Sequence, residues 1–259
     1  MKNKARHTKQ CNKVKSIILI ILCILFITGI CYISYYLYNY HKDKADNIDI
    51  LNNVEIDNTQ VTEQKTERML QLEKLQKENE EIIGYLEIEG TNINYPVCQS
   101  TDNDYYIRHN YKKEYSKDGA IFLDKDYDWN IPSSNLLLYG HNNKNGTMFQ
   151  NLLEYAKEDF YKEHTKIRFT TNKEDSIYEI ISVFYSRVYY KSEQNVFRYY
   201  YFVNAENEEE YNEFVNNAKK SSIYNIETTA KYGDQLLTLS TCEYSQEDGR
   251  FVVIAKKMQ

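Results

Sequence analysis

The spacing of hydrophobic and polar positions changes character four times along the chain. Residues 1–15 are polar and hold Lys2, Lys4, Arg6, Lys9, Lys13 and Lys15 with no acid. Residues 17–38 then run for 22 positions without a charge. As a helix that run is about 33 Å long, enough to cross a hydrocarbon core of about 30 Å. Residues 41–58 are polar and acidic with no apolar period, the texture of a flexible stalk. Residues 60–83 lack Gly and Pro, and Met69, Leu72, Leu75, Asn79 and Ile82 recur at three- to four-residue spacing. This predicts an amphipathic helix packed on the body that follows. The stripe is too short to favour a coiled coil.

From Gly84 onward the pattern becomes short β-type runs: Tyr85–Glu89, Asn92–Val97, Ala120–Leu123, Asn135–Tyr139, Lys166–Thr171, Ile177–Tyr190, Gln235–Ser240 and Phe251–Lys256. Turn-forming and polar stretches separate them. The 26 tyrosines fit strands with one wet face. Helical inserts are expected at 147–163 and at 207–220, where Tyr211, Phe214 and Ala218 share a face. Many short strands with few helices over about 200 residues predict one mainly β domain, a β-barrel with an N-terminal helix and inserted helices. The expected organisation is a basic cytoplasmic flank (1–15), a transmembrane anchor (16–40), an extracellular stalk (41–58) and a folded domain (59–259).

Charge and cysteine usage sharpen this picture. The basic flank lies on the N-terminal side of the span, so the N-terminus is expected in the cytoplasm and the domain outside, held at the cell membrane by a single pass. A cleaved signal peptide fits less well, because its apolar region is usually shorter and ends in a small-x-small site. Neither Cys23 nor Cys31 sits in a lipoprotein-type cleavage context. Of 32 basic residues six belong to the flank, leaving 26 against 38 acids, or −12, for the rest. That balance argues against nucleic acid as a partner. Only Cys98 and Cys242 fall in the outer domain, which excludes a disulfide framework. One Cys98–Cys242 bridge is conceivable. The simpler expectation for Cys98, after Tyr95-Pro96-Val97, is a small buried apolar residue.

Three residues carry candidate chemistry. Cys242 ends the run Leu236-Leu237-Thr238-Leu239-Ser240-Thr241 among polar neighbours. His141 follows an apolar strand and Gly140, which is expected to let the backbone turn closely, and precedes a polar loop. Arg250 opens the apolar run Phe251–Ala255, and Asp248-Gly249 offers the chemistry of a tight turn between it and Cys242. A thiol nucleophile, an imidazole proton carrier and a guanidinium beside a developing oxyanion are what a thiol-dependent acyl transfer needs. Asp234, Glu243 and Glu247 are nearby acids, and nothing in the sequence says whether one of them orients His141. His7, His41, His109 and His164 read as solvated or structural. No spacing suggests a metal site.

The order His, Cys, Arg resembles the sortases. Leu-Leu-Tyr-Gly-His-Asn…Gly-Thr-Met-Phe at 137–149 and Thr-Leu-Ser-Thr-Cys-Glu-Tyr-Ser…Arg-Phe-Val-Val-Ile-Ala-Lys at 238–256 are similar to class B. The resemblance implies a sortase-type barrel and a cysteine transpeptidase that needs no cofactor. Cys242 would be the nucleophile, His141 the proton carrier and Arg250 the oxyanion partner. It implies as partners secreted proteins with a C-terminal sorting motif of the Asn/Ser-Pro-x-Thr-Asn/Gly type and an amine of a peptidoglycan stem or cross-bridge. It further implies a substrate groove formed by Asn103, Ile107, Tyr139 and Ser240, and places the helix at 207–220 where class B sortases carry an extra one. A pilin-polymerising sortase would typically add a lid segment and often a second span, and no second apolar run follows Lys256. A papain-like protease or amidase would put Cys before His. A non-enzymatic surface-binding protein would not need Cys242.

Overall fold

A computed structural model describes residues 21–39, 41–42, 66–131 and 133–258. The basic flank with His7 and Cys11, the first residues of the apolar run and most of the stalk lie outside the described residues. The chain divides into two units, 1–46 and 47–259. In the first, Ile21–Asn39 forms a 19-residue helix (α1), long and apolar enough to cross a membrane. Its large apolar side chains are exposed.

In the second unit all eight expected runs form strands. These are β1 (Ile82–Glu87), β2 (Asn94–Cys98), β3 (Ile121–Leu123), β4 (Asn135–Gly140), β5 (Lys166–Thr170), β6 (Asp175–Arg187), β7 (Leu236–Cys242) and β8 (Gly249–Lys257). They close into a barrel in the order β1-β2-β3-β4-β7-β8-β6-β5. The β2–β3 and β4–β7 pairs are parallel and the other pairs antiparallel. Closure leaves no unpaired edge strand among the described residues. Alternation along each strand sends Leu136, Leu138, Leu237, Leu239, Phe251 and Val253 into the interior, where they meet Leu86, Val97, Ile121 and Ile180.

Two smaller apolar clusters cover the outside. The helix α2 (Glu67–Glu78) lays Leu72 against Ile82, Cys98, Tyr106 and Phe122. It is shorter than its apolar stripe. Thr66 caps its start. Asn79 ends it in an extended conformation, with its side-chain amide donating to Tyr106 Oη and the Tyr111 carbonyl and its oxygen accepting from Glu81 N. Asn79 and Ile82 are therefore buried, as the stripe implies, but beyond the helix. The helix α4 (Glu208–Ser221), between β6 and β7, buries Tyr211, Phe214, Val215 and Ala218 against Ile181, Phe184, Val252 and Ile254.

The single helix expected over 147–163 does not form. Met148 takes a left-handed φ of 56° and bridges to Asn142, a 3-10 stretch covers Gln150–Ala156, and Lys157 is extended before the short α3 (Glu158–Glu163). The tyrosines also depart from expectation. Among the described residues eight of them (85, 95, 106, 127, 155, 178, 199 and 211) are buried. Burial is tolerated because the hydroxyls find partners, as when Tyr155 donates to the His164 carbonyl and Tyr178 to Gln235. Cys98 is fully buried, and it and Cys242 are free thiols with no bridge between them.

Candidate active site

Register and alternation bring the three candidate residues to one face of the barrel. In β4 and β7, Tyr139 pairs with Ser240 and Gly140 with Thr241. One step further along this parallel pair sets His141 beside Cys242. The Asn142 amide confirms the alignment by donating to the Cys242 carbonyl at 3.0 Å. Across the antiparallel β7–β8 pair, Cys242 stands opposite Arg250. Ser240 and Cys242, like Tyr139 and His141, are two apart and share a face, the one opposite the core residues Leu239 and Leu138. Cys242, His141 and Arg250 are each half-buried.

The turn between Cys242 and Arg250 forms as its sequence suggests. Asp248 takes the left-handed φ of 52°, and a Cβ at Gly249 would clash with the Glu243 carbonyl. Glu243 N donates to the Gly249 carbonyl at 2.9 Å. The backbone N–H following Cys242 is thus already bonded. Arg250 Nη1 donates to the carbonyls of Asp248 (3.1 Å) and Gly249 (2.8 Å). Among the described residues no carboxylate pairs with it.

His141 is oriented by a carbonyl. Its Nε2 lies 2.9 Å from the Ile107 oxygen. A carbonyl only accepts, so Nε2 carries the proton and Nδ1 is the free ring nitrogen. Among the described residues none of the three nearby acids is bonded to His141, and two are engaged elsewhere. Glu243 accepts from Ser245, Asp234 accepts from Lys231 N, and no bond joins Glu247 to His141. Gly140 serves close packing rather than a turn. It lies within β4, and a Cβ there would run into Ile121 and sit 2.7 Å from the Phe149 ring. His109 and His164 are structural, each with Nδ1 against a carbonyl, of Tyr105 and Glu89.

A cavity of about 260 Å³ contains Cys242, His141 and Arg250 together with Asn103, Ile107, Tyr139 and Ser240, so all seven candidates meet there. The strand row Phe122–Tyr139–Ser240 forms its floor. The segment with Asn103 and Ile107 makes one wall. Val188, Tyr199 and Tyr200 make the other. That second wall was not legible in the sequence, where its Tyr-rich stretch carries no motif. Tyr199 and Ser240 share a hydrogen bond of 2.7 Å. Burial, then the nearby Asp124 carboxylate, pushes the Tyr139 phenol far up. Burial does the same to Tyr199, against the opposing pull of Ser240 and Arg250. Both remain neutral phenols. Among the described residues no group of three or more His, Cys, Asp or Glu side chains is placed to hold a metal ion.

Comparison with known proteins agrees with this geometry. A sortase-domain family model matches residues 86–258. The chain belongs to the sortase family. It is 32% identical to sortase B of Staphylococcus aureus over 188 residues, covering 72% of this chain and 74% of that protein. It is 33% identical to sortase B of Listeria monocytogenes over 190 residues, covering 72% and 73%. The crystal structure of sortase B from B. anthracis in complex with AAEK1 superposes with a TM-score of 0.71 at 32% identity, covering 86% of this chain and 99% of that one. These relatives place the chain among the class B sortases.

Proposed function

We propose that the chain is a membrane-anchored transpeptidase that cleaves a C-terminal sorting motif of the Asn/Ser-Pro-x-Thr-Asn/Gly type after Thr and joins the carrier protein to a peptidoglycan amine. The observation that carries the reading is the Cys242–Arg250 pair beside His141 in one cavity of about 260 Å³. The Cys242 thiol passes its proton to His141 Nδ1, the thiolate adds to the Thr carbonyl, and the free N–H groups of Arg250 receive the oxyanion. The C–N bond breaks as Nδ1–H of the imidazolium protonates the leaving amine, giving a thioacyl-enzyme. The acceptor amine attacks the thioester and passes its proton to Nδ1, and the thiolate departs. The Ile107 carbonyl holds Nε2–H throughout and keeps Nδ1 as the nitrogen that exchanges protons. Asn103, Ile107, Tyr139 and Ser240 bind the motif. The helix α1, within an anchor at 16–40, holds the catalytic domain (59–259) outside the cell through the stalk at 41–58, with residues 1–15 in the cytoplasm. Substrate and wall precursor both reach that membrane face.

The test is incubation of the full chain in detergent micelles with quenched sorting peptides, with and without amines, read by mass spectrometry. Peptide–amine adducts are expected from wild type and none from Cys242→Ala. Water as the sole acceptor would make the protein a hydrolase. Near-normal cleavage by folded Cys242→Ala would end the sortase mechanism.

A further inference from the structure

Behind the groove lies a buried carboxylate to which the proposed chemistry gives no part. Asp124 directly follows β3 and is 4% exposed. Its backbone is fixed on both sides, with N donating to the Leu137 carbonyl (2.9 Å) and O accepting from Gln99 Nε2 (3.1 Å). Its two carboxylate oxygens have different duties. Oδ1 accepts from Asp126 N at 2.9 Å and closes the local turn. Oδ2 accepts from Tyr139 Oη at 2.9 Å and from Asn103 Nδ2 at 3.0 Å, two side chains of the groove. Among the described residues no lysine or arginine forms an ion pair with Asp124. A turn alone needs one oxygen, and a buried carboxylate is costly to hold without a cation.

The donor inventory says what Oδ2 accomplishes. The only Tyr139 hydroxyl proton points at Asp124, so the phenol oxygen offers the cavity lone pairs alone. Asn103 Oδ1 is taken by Lys125 N at 2.9 Å and one amide hydrogen by Asp124, which leaves a single N–H. Wall and floor thus present one fixed donor, on Asn103, and one fixed acceptor, on Tyr139. An amide group of a peptide carries the complementary pair.

We propose that Asp124 is a positioning residue for the peptide substrate, acting through Asn103 and Tyr139 to set the hydrogen-bond polarity of the groove for one amide. The inference rests on the sortase reading. The variant Asp124→Asn is nearly isosteric but turns an amide NH₂ or a weaker neutral acceptor toward two donors. Hydrogen bonds to charged groups carry about 1.5–3 kcal/mol, so KM for the quenched peptide Asn-Pro-Gln-Thr-Asn should rise about ten- to a hundredfold. The kcat should stay within about threefold, and iodoacetamide should alkylate Cys242 at an unchanged rate, because neither reports on the groove wall. A merely structural Asp124 would lower the melting temperature and leave KM alone. Coupling supplies the second test. In an Asn103→Ala/Tyr139→Phe background, Asp124→Asn should add less than about twofold to KM.

An unchanged KM in Asp124→Asn overturns the inference, as does a full additional rise in the double-variant background. Loss of the folded state in Asp124→Asn, with the Asn103→Ala/Tyr139→Phe protein folded, would make Asp124 a folding residue and overturn it equally. A wild-type protein that neither binds nor cleaves the peptide would instead sink the sorting-motif reading itself.

Discussion

Replacing Arg250 by lysine separates charge from geometry at the point where the reaction is proposed to gain most. Arginine has five N–H donors in a rigid plane. Two, both on Nη1, are bonded to the carbonyls of Asp248 and Gly249 and hold the guanidinium in place. Three remain, on Nε and Nη2, to meet an oxyanion formed at Cys242, the residue across the β7–β8 register. The backbone N–H of Glu243 is no substitute, being bonded to Gly249. Lysine brings one nitrogen. It either keeps the tether to the two carbonyls or reaches the oxyanion, and it has no plane to fix its direction. Loss of one oriented oxyanion donor typically costs about 10²–10³ in kcat. Arg250→Lys should therefore lose about that much kcat with KM nearly unchanged, and Arg250→Ala at least as much. Steady-state cleavage of a quenched sorting peptide, with single-turnover acylation alongside, measures both constants. Thermal melting serves as the control for any loss of stability from the two carbonyl bonds. Wild-type kcat in Arg250→Lys, or a loss confined to KM, would refute the assignment and leave Arg250 as a clamp on the turn.

Three further outcomes follow from the same geometry. His141→Ala should nearly abolish turnover, while Cys242 stays open to alkylation at high pH where thiolate forms unaided; equal turnover in the two proteins would remove His141 from the mechanism. Gly140→Ala should destabilise by about 1–3 kcal/mol through overpacking against Ile121 and Phe149, lowering the melting temperature by about 2–12 °C; an unchanged melting curve would contradict the packing described. Burial pushes the Cys98 thiol up to about 12, so the folded protein keeps a proton that the unfolded chain releases at lower pH. Its stabilising contribution is complete below the ordinary thiol range and declines as pH rises from there toward 12. Melting temperatures compared between pH 8 and 10 should fall less steeply in Cys98→Ala than in wild type, and parallel slopes would count against a buried neutral thiol.

The primary sequence determined a good deal here, because alternation and punctuation are local properties. All eight strands, the helix between β6 and β7 and the apolar span show as runs of the right period. The catalytic candidates show as polar residues where apolar strands begin or end. What local pattern cannot contain is which strands become neighbours and in what register. The parallel β4–β7 pairing, which puts His141 next to Cys242 from a hundred residues away, is a product of barrel closure. So is the second wall of the groove, where Tyr199 acquires its place only by meeting Ser240. Tertiary contacts also overrode local expectation. Met148 broke one expected helix because the loop after His141 returns to pair with it at Asn142, and the extended Lys157 broke it again. Asn79 cut another short because its side chain is claimed by Tyr106 and Tyr111. The group that orients His141 was illegible for the same reason: it is a main-chain carbonyl, a group every residue carries, and only the folded position of Ile107 makes it special. Residue identity thus settled what chemistry the chain could carry, and the three-dimensional pairing of distant strands decided where that chemistry came together.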